Sequence, residues 1–375
     1  MKLRVLFWAM LLLPVLPAQA LRTGDASCDL KLTYLSGKEF PLGGALPEKE
    51  GSVKPGKLRM LALVRAESRA SREVLPLLDD WKCRFPELEI VAVCPDPEDL
   101  TKAFFAGYSS KRFAAALDPD RESIRRYMAG AVIYPRIFLI GSDGMILWDG
   151  EAADASEVLT AYYAGKFDRE KAKKTAPLLE DLQSRMRNGE ERRAGFLAQQ
   201  ILEIDPGNAA ALRMQLYLLE NAGKLEDAWN LLENQRKSAP QEAKVYLLEL
   251  NFASNHSSYQ ARAGEIALQY LYAVTDQPDA DGEIAWMLLT RFPFDANALE
   301  LSGKILGRAM QHSGAAGKTD LLTAGALYSA RLGRFETAVK LQEKVVSQLR
   351  EQFPHRLSGA EAMLQYYRKS LEMAK

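Results

Sequence analysis

Apolar positions follow two different rhythms along the chain. Up to about residue 168, short apolar runs alternate with helical stretches; beyond it, apolar positions recur only at helical spacing. Residues 58–64 and 88–93 are the near-continuous runs that fill strands buried on both faces. Residues 30–34 and 39–42 flank Ser36-Gly37-Lys38 as a hairpin, and a polar loop over 43–56 follows. Shorter strands are predicted at 113–117, 137–140 and 145–148, the last two joined by a turn at Ser142-Asp143-Gly144. Between them, residues 71–84 place Val74, Leu75, Leu78 and Trp81 on one helical face, and 97–106, 121–128 and 153–163 are also helical. This alternation predicts a layered α/β domain over residues 21–168.

From residue 169 to 375 the pattern predicts an all-helical domain, and one spacing within it repeats. Gly189, Ala194 and Pro206 recur as Gly223, Ala228 and Pro240, each 34 residues later. Gly333 and Ala338 repeat the first of these intervals near the C-terminus. A glycine turns the chain between two helices, an alanine lets the second pack closely, and a proline ends it. Residues 243–318 are helix-rich but lack the glycine and alanine markers, and 311–319 read as a loop.

The first twenty residues have a different character. Lys2 and Arg4 precede an apolar run over 5–16 interrupted by Pro14, and Ala18-Gln19-Ala20 supplies small residues for cleavage. We expect a leader peptide over 1–20 and an extracytoplasmic, periplasmic-type location, with no membrane insertion after cleavage. Once the leader's two basic residues are gone, 49 acidic residues stand against 47 basic ones. That balance argues against nucleic acid or an anionic membrane as partner. Three cysteines, Cys28, Cys83 and Cys94, are an odd number, so at least one thiol is expected to be free or paired outside the chain.

Residues 134–146 carry the strongest resemblance to a known family. Tyr134-Pro135, the apolar strand after it, Asp143-Gly144 and the next strand resemble the thioredoxin-like superfamily, of the exported thiol-disulfide oxidoreductase and redoxin type. Residues 58–66 look like its strand leading to the active site, and Leu75-Pro76 like the helical proline after the redox motif. The resemblance implies a thioredoxin-like fold over about 28–165 and places the two redox cysteines on Ser68 and Ser71 of Ser68-Arg69-Ala70-Ser71. It also places a cis-proline at Pro135, whose loop, with Tyr134, is a candidate binding surface. The 34-residue spacing resembles the tetratricopeptide (TPR) repeat, which implies a concave face for a protein or peptide partner.

The family's chemistry needs a thiolate at a helix N-terminus, and a serine hydroxyl forms neither the thiolate nor the mixed disulfide. Serine is a favoured helix N-cap, so Ser68 and Ser71 suit the same helix start without the chemistry. A serine nucleophile would need a base, yet His256, His312 and His355 all fall in the helical half. The expectation is therefore a redox-inactive, exported thioredoxin-like protein with a TPR-like array, acting through protein contacts. The alternative is a thiol-disulfide oxidoreductase or peroxidase using another cysteine outside a CxxC motif or Cys94, which ends a strand where parallel sheets present their functional loops. Cys83 is expected at the far end of the helix after the motif, too distant to pair with Cys94. No metal motif and no cofactor-binding motif is present, so no metal or cofactor is expected. Basic clusters at Arg169 with Lys171 to Lys174, and at Arg192-Arg193, read as solvated helix faces, and the paired tyrosines 162/163, 270/272 and 366/367 as packing aromatics.

Overall fold

A computed structural model describes residues 20–36, 57–108, 112–128, 133–275, 277–312 and 318–374. The predicted leader up to residue 19, the second hairpin strand at 39–42, the loop at 43–56 and most of the 311–319 loop lie outside the described residues. The chain divides into two compact units, Met1–Lys173 and Lys174–Lys375.

The described residues of the first unit contain a six-stranded mixed sheet. Its strands are β1 (Thr33–Ser36), β2 (Arg59–Leu63), β3 (Glu89–Cys94), β4 (Ala114–Leu117), β5 (Arg136–Ile140) and β6 (Ile146–Glu151), in the spatial order β1-β4-β3-β2-β5-β6. β2, β3 and β4 run parallel; β5 runs antiparallel to β2, and β6 to β5. Helix α1 (Arg69–Arg84) crosses from β2 to β3, α2 (Glu98–Ala106) leads toward β4, and α3 (Ala152–Tyr163) follows β6. A βαβ unit joined to a ββα unit through the β2–β5 pair is the thioredoxin-like arrangement.

The central strands are buried at every position but Glu89, because helices cover one face of the sheet and the chain's early segments the other. Leu58, Met60, Ala62 and Val64 face the layer with Val74, Leu78 and Trp81 of α1. Leu61 and Leu63 face the layer of Tyr127, Met128, Leu21, Leu30 and Leu32. Strand period two sends alternate residues to opposite cores.

Two elements differ from expectation. β1 extends through Ser36, which was expected in a turn, because its residues pair antiparallel with β4, Tyr34 opposite Ala116 and Ser36 opposite Ala115. The helix expected over 121–128 is a single wide π-type turn at Ile124–Met128, preceded by Arg121 at φ 53°. Tyr127 and Met128 are buried there, and Ile124 packs against the same core.

Residues 20–28 form an extra layer along β6. Gly24 N–H donates to Ile146 O at 2.8 Å, Ile146 N–H returns to Asp25 O at 2.8 Å, and Ser27 N–H reaches Gly144 O at 2.8 Å. Thr23 is the anchor: its N–H and hydroxyl both donate to Asp149 Oδ1 at 2.8 Å, and Asp149 N–H donates to Thr23 Oγ1 at 3.0 Å. Arg136 holds the other oxygen of the same buried carboxylate.

Among the described residues, eleven α-helices follow α3: α4 (Arg169–Arg187), α5 (Glu191–Ile204), α6 (Ala209–Asn221), α7 (Leu225–Ser238), α8 (Ala243–Asn255), α9 (Ala263–Ala273), α10 (Pro278–Arg291), α11 (Ala296–Ala309), α12 (Thr319–Arg331), α13 (Phe335–Gln352) and α14 (Leu357–Met373). No strand occurs among the described residues of this half. Gly189, Gly223 and Gly333 have φ of 70°, 69° and 71°, the left-handed region that only glycine enters freely. Each is followed by the same six-residue backbone bond: Glu190 N–H to Arg185 O at 2.8 Å, Lys224 N–H to Leu219 O at 2.9 Å, and Arg334 N–H to Ser329 O at 2.9 Å. That is the Schellman turn, which satisfies a terminal carbonyl and reverses the chain. Ala194, Ala228 and Ala338, five residues past each glycine, are fully buried.

Between the marked turns, residues 243–309 contain α8 to α11 and a 3₁₀ turn at Ser257–Arg262. Buried polar clusters pin these helices. Arg308 pairs with Asp281, donates to Leu271 O at 2.7 Å and Val274 O at 2.6 Å, and lies 5.3 Å over the Tyr270 ring. Tyr270 hydroxyl donates to Asp281 Oδ1 at 2.7 Å. Arg236 holds both oxygens of fully buried Glu249 at 2.8 and 3.0 Å, and burial still pushes that carboxyl upward. Among the described residues no helix is long and apolar enough to cross a membrane.

Candidate functional site

The carboxyl ends of β2 and β3 and the start of β5 bring three loops together. The first, residues 64–68, leads from β2 into α1. Ser68 has extended dihedrals (φ −79°, ψ 122°) and its Oγ accepts the Ser71 N–H at 3.2 Å, so it is the N-cap of α1. Ser71 is fully buried, and its Oγ accepts Arg65 N–H at 3.0 Å. The hydroxyls of Ser68 and Ser71 are thus both bonded to backbone within the same stretch of chain.

The second loop carries Asp96 between Pro95 and Pro97. Asp96 is buried, with one oxygen 2.7 Å from Arg65 Nε and the other accepting Ala66 N–H at 2.8 Å. Its backbone carbonyl accepts Thr101 Oγ1–H at 3.1 Å. The third loop carries Tyr134 and buried Pro135, joined by a cis peptide bond. The Arg65 guanidinium stands 5.5 Å from the centre of the Tyr134 ring, within range of a cation–π contact. Burial raises the Tyr134 phenol, and Arg65 beside it opposes the rise. Arg65 is therefore the hub: its N–H holds Ser71, its side chain Asp96, and its charged face Tyr134. Arg72, one turn into α1, donates to Ala66 O at 2.9 Å and fixes the loop from the other side.

Cys94 lies at the end of β3, fully buried, with its thiol 3.5 Å from Asp96 Oδ2. Burial pushes its pKa up, the opposite of what a reactive thiol requires. Cys83 is in α1, beside the Arg112 guanidinium, and Cys28 is in the segment along β6; burial raises both. All three cysteines are free thiols. A cavity of about 250 Å³ opens beside Asp96, walled by Pro95, Pro97, Pro119 and Leu117. Among the described residues, no group of three or more His, Cys, Asp or Glu is placed to hold a metal ion.

The structure thus brings Ser68, Ser71, Tyr134 and Pro135 to one end of the sheet, and puts Cys94 beneath the same loops rather than on their surface. Arg65 and Asp96 were not singled out from sequence. Their signal lies in the register: Leu63 pairs with Val93, so residues just past each strand end fall side by side. The tyrosine pairs divide: Tyr163 stacks on Phe85 at 4.7 Å and Tyr270 and Tyr367 are buried, whereas Tyr272 and Tyr366 are exposed.

No family model matches the chain, and no curated protein matches it. Solved structures similar to part of it include the thioredoxin domain of a thiol-disulfide oxidoreductase from Bacteroides vulgatus, at 16% identity over 38% of this chain and 99% of that one, TM-score 0.31. A peroxiredoxin-like protein from Aquifex aeolicus is similar at 13% identity over 40% of this chain and 90% of that one, TM-score 0.32. A secreted disulfide oxidoreductase from Mycobacterium tuberculosis is similar at 16% identity over 28% of this chain and 83% of that one, TM-score 0.24. The first unit is thioredoxin-like by its strand order, and an all-helical unit follows it.

Proposed function

We propose that this is an exported, redox-inactive thioredoxin-like protein whose helical unit is a TPR-like array that binds a protein or peptide partner. One observation carries the proposal: the two positions aligned with the redox cysteines are serines whose hydroxyls hold the start of α1 by accepting backbone N–H groups. A serine in that role keeps the fold and lacks the sulfur that disulfide exchange requires. The burial of Cys94 and the upward shift of its thiol speak against the alternative, an oxidoreductase or peroxidase acting through that residue. The cavity walled by Pro95, Pro97, Pro119 and Leu117 and the Tyr134-Pro135 loop are the surfaces we assign to binding in this unit.

For the helical unit, support comes from the three superposable Schellman turns and the buried alanine five residues after each. Helices α8, α10 and α12 pack in succession, as do α9 and α11, the stacking a repeat array needs. Exposed Tyr217 and Trp286 stand on α6 and α10, the first helices of their hairpins, and exposed Tyr366 stands on α14; tyrosine and tryptophan are enriched where partners bind. Residues 1–20 direct export, and the mature chain works outside the cytoplasm.

The test is reduction of insulin disulfides and of hydrogen peroxide by the mature protein, its Cys94→Ala variant, and the double variant Ser68→Cys/Ser71→Cys. We expect no activity from the first two and thiol-dependent activity from the double variant. Wild-type activity that disappears in Cys94→Ala would establish the enzyme instead. Crosslinking in the envelope identifies the partner, and Tyr217→Ala/Trp286→Ala is expected to abolish its capture.

A further inference from the structure

Residues 21–28 follow directly after the proposed leader, and they are built into the first unit. Leu21 N–H donates to Arg126 O at 3.0 Å, and Ala20 is itself buried. Thr23 and Asp149 are buried where they exchange three hydrogen bonds. Gly24, Asp25 and Ser27 pair with Ile146 and Gly144 along β6. Cys28 closes the segment, its N–H donating to the Tyr127 hydroxyl at 3.0 Å and its carbonyl accepting from that hydroxyl at 2.7 Å.

A protease takes its scissile segment as an extended strand whose N–H and C=O groups pair with the walls of its cleft. The N–H groups of Leu21, Thr23, Gly24, Ser27 and Cys28 and the carbonyl of Asp25 are already paired inside the fold. Docked and cleavable are therefore mutually exclusive states of residues 20–25. We infer that removal of the leader after Ala20 precedes docking of residues 21–28, and that docking then shields the new amino terminus from further trimming. This inference rests on residues 1–20 being a cleaved leader. Asp149 is the receiving group: it faces Thr23 with one oxygen and Arg136 with the other, so its charge stays balanced before and after the segment arrives.

The test uses the full chain, expressed with its own leader in a Gram-negative host and purified from the envelope as wild type, Thr23→Val and Thr23→Ser. Three readouts are taken: intact mass, trimming by an added aminopeptidase, and the rate of alkylation at Cys28, with buried Cys94 as the control for folding. We expect every mass to begin at Leu21. Wild type and Thr23→Ser should resist trimming and alkylate slowly at Cys28. Thr23→Val should show both rates raised about tenfold, with Cys94 unchanged, as expected when hydrogen bonds to a charged acceptor are lost. Equal trimming and equal Cys28 alkylation in wild type and Thr23→Val would overturn the docking. A mass that retains residues 1–20 while Cys28 stays protected would overturn the leader and the order of events, and would show that the docking itself survives.

Discussion

Replacing Ser71 by alanine separates a structural serine from a chemical one. Ser71 is fully buried and its Oγ is the acceptor for the Arg65 N–H at 3.0 Å. Alanine removes the acceptor and leaves that N–H unpaired at the point where the chain leaves β2 for α1. An unsatisfied buried donor costs about 1–3 kcal/mol, and because Arg65 is only partly buried we expect the lower half, about 1–2 kcal/mol. Ser71→Cys, similar in size but a poor acceptor, should fall between wild type and alanine. Ser68→Ala removes the N-cap and is expected to cost about 1 kcal/mol. Hydrogen exchange followed by mass spectrometry on the full chain reads this locally: peptides spanning residues 60–75 should lose protection roughly five- to thirtyfold in Ser71→Ala, the factor that 1–2 kcal/mol implies. Peptides from α10 and α11 serve as the internal control. Less than a twofold loss in Ser71→Ala would show that the hydroxyl does not hold the loop, and would remove the physical ground for treating the serines as structural.

The other predictions concern the helical unit. Gly223→Ala meets no atom within 4 Å, so only its φ of 69° opposes the change; a net loss of about 1 kcal/mol, seen in thermal unfolding, is expected once the stiffer unfolded chain is allowed for. Gly303→Ala has the opposite cause, since a Cβ there would overlap the Tyr328 phenol; it should cost about 1–3 kcal/mol, with much of the loss absent when Tyr328→Leu is already in place. The Trp229 indole N–H, at 2.8 Å, holds the Glu233 carboxyl below its usual range, with Lys237 and Arg262 beside it. A carboxyl depressed in the folded state adds stability that is fully present above its unfolded value and is lost as pH falls through its folded one. The gap between wild type and Glu233→Gln, measured by urea unfolding, should therefore be widest above the ordinary glutamate range and shrink as the pH falls below it. A gap that widens toward acid would refute the assignment.

What could be read in the sequence followed from how local each signal is. The runs at 58–64 and 88–93 became β2 and β3 because a strand buried on both faces must be apolar at nearly every position. The five-residue glycine-to-alanine spacing at Gly189, Gly223 and Gly333 reappeared as three turns with one backbone geometry, because glycine alone reaches that φ without strain. The serines were found by motif, and their bonds lie within six residues of one another. Arg65 and Asp96 were not found, because their pairing depends on the parallel register of two strands thirty residues apart. The anchoring of Thr23 to Asp149 spans 126 positions and leaves no trace in periodicity. The turn at Ile124–Met128 was read as an ordinary helix because apolar spacing does not distinguish a wide turn from a regular one.

The segment along β6 bears on how the chain behaves in a crowd. β6 is an edge strand of the sheet, and among the described residues the groups that face outward from Gly144, Ile146 and Asp149 are met by residues 23–27. A strand edge with unmet N–H and C=O groups is a template for any extended chain, including another copy of the same protein. If the chain is exported and its leader removed as proposed, that edge is bare until Thr23 reaches Asp149. The yield of monomeric protein at high expression should then follow the speed of leader removal, with slowly processed chains joining edge to edge before their own first residues can cover the gap.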